Sequence, residues 1–222
     1  MDISLYNHRL YRVSPINCED CDLYNEYIQI LKVTYSPLGF FRPSVLPKEN
    51  TQCFGLMFDG NLEGIFAITP ISDISKTPYM LLVPNMGHSR KVAEISNVVL
   101  RKRVRGAVAL GVILYEAAQF AVAENYDALV GTTRHQTLPF FVDFGVTPVF
   151  HEPLHLMGDQ SIDDFVIYFE TADTESIEYM HARAKRFFQK EMVLAKIKGL
   201  CDENGRHKLR VEPSSALESH HV

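Results

Sequence analysis

Residues 106–125, GAVALGVILYEAAQFAVAEN, are apolar on most faces of a helical wheel. This stretch constrains the fold more than any other part of the chain. A helix with one apolar stripe can lie on a surface, whereas one that is apolar nearly all round must be covered on most sides. If fully helical it would run about 30 Å. Its neighbours read as strands, AEISNVVL (93–100) before it and YDALVGTT (126–133) after it. The 222 residues are 46% hydrophobic, and the formal charge is 22 − 27 = −5. Such a chain is too apolar and too weakly charged to be disordered, and it is long enough to bury a core.

Turn chemistry divides the rest. YRVSP (11–15) reads as a short strand, and Asn17–Asp22 supplies helix-start residues for a helix through about Tyr35. Pro37, Pro43 and Pro47 break the next stretch. Gln52–Phe58 and Gly64–Thr69 are apolar segments joined by Asp59-Gly60, a strong hairpin signal. Tyr79–Val83 reads as a further strand, QTLPFFVDFG as a short helix ending at Gly145, and Val146–Leu156 and Phe165–Glu170 as the last strands. From about Thr174 to Leu200 an amphipathic basic helix follows. The expected organisation is a main domain over residues 1–172, a C-terminal helix over 173–202 and a polar tail over 203–222.

No run of apolar residues is long enough to span a bilayer. The opening MDISLYNHRLYR lacks the charged-then-apolar order of a secretory signal, so a cytoplasmic protein is expected. A pI near 6 argues against nonspecific binding to nucleic acid. Four cysteines are too few for a disulfide scaffold. Cys18 and Cys21 form a C-x-x-C with no second ligand pair behind it, so reduced thiols are expected and no metal. His151-Glu152-Pro153-Leu154-His155 matches H-E-x-x-H in letters only. The prolines at 148 and 153 favour an extended segment, which would hold the two His about 13 Å apart, too far to share one zinc.

The chemistry concentrates in 93–145. The turn LRKRVRGAVA puts Arg101, Lys102, Arg103 and Arg105 at the N-terminus of the apolar helix. There, free backbone N–H groups and the helix dipole already favour an anion. Gly106 lets a bound group approach the backbone closely. A diphosphate or a phosphopantetheine phosphate is the natural occupant.

This block resembles the GNAT superfamily of acyl-thioester-dependent N-acyltransferases. Arg103-Val104-Arg105-Gly106-Ala107-Val108 matches the family's cofactor motif, with Val108 where Gly or Ala is usual. Leu138–Val146 is similar to its later aromatic-and-glycine signature. AEISNVVL, with PYMLL (78–82) upstream, resembles the corresponding strand of the acyl-homoserine-lactone synthases and long-chain N-acyl amino acid synthases. Glu94 and Ser96 fall on the family's Glu and Ser, and Asn97 stands where the family has Arg.

The resemblance implies an α/β (α+β) fold, a central mixed and mostly antiparallel sheet flanked by helices, with an added C-terminal helix. It implies transfer of an acyl group of medium or long chain, from acyl-CoA or the phosphopantetheine of acyl carrier protein, to a primary amine such as an amino acid. The alternatives are an acetyl-CoA-dependent N-acetyltransferase and a GNAT-fold binding or regulatory protein without catalysis. Glu94 would act as general base, with Ser96 orienting it or the acceptor. Backbone groups of Val98, Val99 and Leu100 would hold the thioester oxygen, and Arg101, Arg103, Arg105, Gly106 and Ala107 the phosphate. Asn97, His135 and Phe141 would contact substrate. In a regular strand, Glu94, Ser96, Val98 and Leu100 share one face, with Asn97 on the other.

Phe141 occupies the place where many relatives carry an acidic Tyr. The leaving thiolate would therefore depart unaided, or be protonated by Tyr168 or solvent. The phenylalanines at 40, 41, 54, 58, 66, 140, 141, 144 and 150 could lend a few members to an acyl tunnel. The basic C-terminal helix and the 101–105 cluster would steer an acidic acyl carrier protein.

Overall fold

The computed structural model describes residues 11–39, 46–74, 77, 79, 90–149, 153 and 164–197, with side chains through residue 190. Phe40, Phe41, Phe150, His151, Glu152, His155, most of the expected 79–83 strand and the 203–222 tail lie outside them. Two compact units divide the chain, Met1–Phe187 and Phe188–Val222. In the second, the described residues 188–197 are helical.

Seven strands form one sheet in the order β1-β2-β3-β4-β5-β7-β6. They are β1 (Tyr11–Ile16), β2 (Gln52–Phe58), β3 (Asn61–Ile71), β4 (Val92–Leu100), β5 (Ala128–Arg134), β6 (Thr147–Pro148) and β7 (Asp164–Glu170). Only β4 and β5 run parallel, and every other neighbouring pair is antiparallel. The helices are α1 (Cys21–Tyr35), α2 (Ala107–Ala123), α3 (Leu138–Asp143) and α4 (Thr174–Ile197). The mixed, mostly antiparallel α/β sheet inferred from sequence is present.

Local chemistry accounts for the element boundaries. Asp20 caps α1 by accepting from the Leu23 N–H at 3.3 Å. Asp59 and Gly60 both have positive φ, 53° and 79°, so the two-residue turn matches the twist of the strands it joins. Of the strand expected over Val146–Leu156, the described residues show Thr147–Pro148 at the sheet edge, and residues 150–152 and 154–156 lie outside them.

One face of the sheet carries α1, and Tyr27, Ile30 and Leu31 pack there against Cys53, Ile65 and Val99. The other face carries α2, of which eleven residues are buried. The Phe54 ring stacks on Phe66 at 4.7 Å and meets Phe120 edge-on at 5.0 Å. Phe144, at the end of α3, fills the junction with α4. A Cβ on Gly111 would come within 2.7 Å of its ring, so only glycine allows this approach. Arg183 of α4 pairs with the Asp143 carboxylate and donates to its carbonyl at 3.0 Å. Among the described residues, no helix is long and apolar enough to cross a membrane.

Candidate active site

The central pair of strands separates part-way along its length. The β4–β5 ladder holds Val92, Ala93 and Glu94 opposite Ala128, Leu129 and Val130, and it ends there. Gly131 stands at the fork. A side chain on it would lie 2.8 Å from the Ile95 carbonyl oxygen, so the missing Cβ lets the strands meet before they part.

Beyond the fork, β4 is bulged. Ala67 of β3 opposes Ser96 while Ile65 opposes Val99, so Phe66 alone faces both Asn97 and Val98. Asn97 takes φ 53°, a left-handed conformation that asparagine tolerates better than most residues. The extra residue inverts the alternation after Ser96. Val99 packs on the α1 side with Tyr27 and Ile65, on the same face as Glu94 and Ser96. Leu100 turns to the opposite face, against Gly64. The regular-strand expectation, with Val98 and Leu100 sharing the Glu94 face, is corrected by this bulge. A bulge ends regular pairing and re-aims backbone groups, and here it falls in the part of β4 beyond its last ladder pair with β5.

Glu94 and Ser96 lie on the α1 face, both half-buried. The Tyr79 hydroxyl donates to Glu94 Oε1 at 2.7 Å. Thr69, opposite Glu94 on β3, shares a 2.9 Å hydrogen bond with Thr51. Beneath Asn97, the Tyr27 hydroxyl is buried beside Asn97 and the Cys53 thiol without reaching ordinary hydrogen-bond geometry, and burial raises its pKa well above the usual phenol value. The Cys53 thiol is likewise raised by burial.

Tyr168 shares the face through its register with Val130. Its hydroxyl, however, is given to Glu170, which also accepts from Arg90 at 2.5 Å. Burial first, and that hydrogen bond second, raise the Tyr168 pKa. Tyr168 is thus committed to a network at the strand end.

On the α2 side of the fork lies an apolar cavity of about 20 Å³, lined by Ile95, Leu129, Gly131, Phe141, Ile167 and Met180 among others. That is room for about one water. Phe141 is buried in its wall, while His135 is exposed on the loop after β5.

The basic turn divides by direction. Arg101 pairs with Glu26 of α1 at 3.1 Å. Arg103 pairs with Asp59 and Glu63, each at 3.3 Å, and lies over the Phe58 ring. Both border an open groove of about 480 Å³ shared with Asp20 and Asp22. Arg105 donates to the Leu100 carbonyl at 3.3 Å and is exposed beside Gly106. Gly106 is the N-cap residue of α2 and offers no side-chain cap. Nothing lies within 4 Å of where its Cβ would be, and no side chain caps the first N–H groups of α2.

Sequence reasoning singled out Glu94, Ser96, Asn97 and the β4–α2 turn, and the fold places them along β4 from the last β5 ladder pair to the start of α2. It missed Tyr79, Tyr27 and Gly131. Tyr79 precedes Glu94 by fifteen positions, and no periodicity links the two. Tyr27 carries only a core signal, as part of the buried stripe of α1 with Ile30 and Leu31.

This architecture, a mixed sheet that forks between two parallel strands, with a bulge on one arm and a helix starting from its end, defines the GNAT fold. Among solved structures, the chain is similar to FeeM, an N-acyl amino acid synthase from uncultured soil microbes. The two share 13% identity at a TM-score of 0.59, over 73% of this chain and 92% of that one. It is also similar to BjaI, a CoA-dependent acyl-homoserine lactone synthase solved with SAM and isopentyl-CoA, at 15% identity and a TM-score of 0.55, over 78% and 89%. An N-acetyltransferase from Staphylococcus aureus Mu50 matches at 11% and 0.51, over 74% and 99%. At these identities the likeness establishes the fold alone. No family model and no curated protein matches the sequence.

Proposed function

We propose that this protein is an N-acyltransferase that moves an acyl group from a pantetheine thioester to a primary amine. The observation that carries the reading is the fork itself. Past Glu94, β4 has no β5 ladder partner and bulges at Asn97, leaving a strand-shaped opening flanked by a carboxylate. An extended, amide-bearing arm such as pantetheine is the kind of ligand that can pair with an open strand edge. Its phosphate end would reach the uncapped N-terminus of α2, with Gly106, Ala107 and the exposed Arg105 around it. Arg101 and Arg103, paired with acidic groups, serve that end chiefly by holding the turn in place.

The chemistry follows from the placement. The amine approaches from the Glu94 face, with the Ser96 hydroxyl beside it. Glu94 takes the proton as nitrogen attacks, and a backbone N–H at the bulge, near Val98, donates to the thioester oxygen as charge develops there. The sulfur leaves as thiolate. Phe141 supplies no proton and Tyr168 is held by Glu170, so the departing thiolate is protonated by solvent.

The acyl chain enters the apolar cavity behind the fork. For a medium or long chain, the buried Phe141 and Met180 move aside, and methionine does so readily. The tightness of the cavity favours a second reading in which the acyl group is acetyl. Acyl carrier protein remains the alternative donor, guided by the basic residues of α4.

Thermal shift separates these readings. A ligand that binds only the folded state raises Tm by mass action. CoA at 100 times its Kd is expected to stabilise the protein by roughly 2.7 kcal/mol, and acyl-CoAs at that same concentration to stabilise it increasingly with chain length. A shift that peaks at acetyl-CoA supports the acetyl reading. No shift with any thioester, free or on carrier protein, contradicts the proposed function.

A further inference from the structure

We propose that Tyr79 is a positioning residue for Glu94: its hydroxyl holds Oε1 in place, so that Oε2 alone is presented to the reacting amine. The inference rests on Glu94 being the base.

The geometry is specific. Tyr79 is 3% exposed, packed among Val92, Ala128, Val130 and Val166 on the α1 face of the sheet. Its hydroxyl reaches Glu94 Oε1 at 2.7 Å. A turn fixes where the ring enters. The Thr77 hydroxyl accepts from the Tyr79 N–H at 3.2 Å and donates to the Ile74 carbonyl at 2.7 Å. Burial first, and the Glu94 charge second, raise the Tyr79 pKa far above that of a free phenol. The phenol therefore keeps its proton and acts as a fixed donor rather than a relay.

A carboxylate has a broad, nearly two-fold terminal torsion, so an unheld Glu94 would sweep its plane through many orientations. A buried donor on one oxygen removes that freedom. Two other hydroxyls on this face are engaged elsewhere, Thr69 with Thr51 and Tyr168 with Glu170. In the transfer step the N–C bond forms as the C–S bond breaks. The amine proton passes to Oε2, and the sulfur takes the bonding electron pair. Tyr79 neither gains nor loses a proton.

The test is steady-state thiol release from octanoyl-CoA with a mixture of L-amino acids as acceptors. Tyr79→Phe is expected to lower kcat about tenfold, the loss of one hydrogen bond to a charged group, with KM for octanoyl-CoA within twofold. In the Glu94→Gln background the same change is expected to cost nothing further. An undiminished kcat, or a double variant that loses the product of the two single effects, overturns the inference.

Should Tyr79→Phe fail to fold by circular dichroism, Thr77→Ala frees the turn and leaves the ring intact. A kcat loss that disappears in Glu94→Gln supports the inference, and one that persists there overturns it. The two levels of the argument separate cleanly. Full turnover by Glu94→Gln removes the base assignment and Tyr79 with it. An inactive Glu94→Gln beside an unaffected Tyr79→Phe removes Tyr79 alone.

Discussion

Glu94→Gln is expected to reduce kcat by at least about 10²-fold, the usual contribution of a positioned general base, while CoA binds with its affinity changed by less than about threefold. Glutamine keeps the length and shape of the side chain, and its carbonyl oxygen can still accept from Tyr79. What it lacks is a basic oxygen for the amine proton. The opening proposed for pantetheine lies on the flank of β4 that faces β5, whereas the Glu94 side chain stands on the α1 face of the sheet. On the proposed mechanism, binding and proton transfer would thus be served by different sides of one strand. Isothermal titration with CoA and steady-state kinetics on the same preparation check both halves. Parallel loss of binding and turnover would assign Glu94 a structural role.

Phe144→Ala is expected to destabilise the fold by about 3–5 kcal/mol. The ring is fully buried, stands within contact of Gly111 on α2, and lies 5.4 Å from the Phe187 ring on α4. Three helices converge on it. Gly111 and Ala184 are too small to fill the space left behind, so the cavity term adds to the transfer term. Urea unfolding should show a lower midpoint with an unchanged slope, since the surface exposed on unfolding stays nearly the same. A loss below about 1 kcal/mol would mean that α3 and α4 close over the gap and that this junction is not the tight point of the fold.

Much of the architecture was legible because its signals are local. Asp59-Gly60 specifies a hairpin turn through two positive φ angles. The run from Ala107 to Ala123 is too apolar to be anything but covered, and Asp20 announces α1. The site was legible in its strand and turn, and illegible in its directions. A single residue at Asn97 inverts the faces of β4, and a one-residue bulge leaves no mark on an apolar-rich strand beyond an asparagine that accepts positive φ.

The partners of the basic turn were hidden in a similar way. Arg101 and Arg103 meet Glu26, Asp59 and Glu63, which lie 75, 44 and 40 positions away in sequence. No local reading could have paired them. Tyr79 reaches Glu94 through a turn built on Thr77, a contact that depends on tertiary packing rather than on spacing.

The central claim, that the forked strands align a thioester with an amine beside Glu94, is tested most directly by product analysis. The wild-type protein would be incubated with octanoyl-CoA and a mixture of L-amino acids, and the products read by mass spectrometry. The expected result is an N-octanoyl amino acid formed in equal amount to the free CoA released, absent with Glu94→Gln. CoA released without any amide, or a thioester that binds and is returned intact in the presence of every amine, would contradict the account and leave a GNAT fold that binds without transferring.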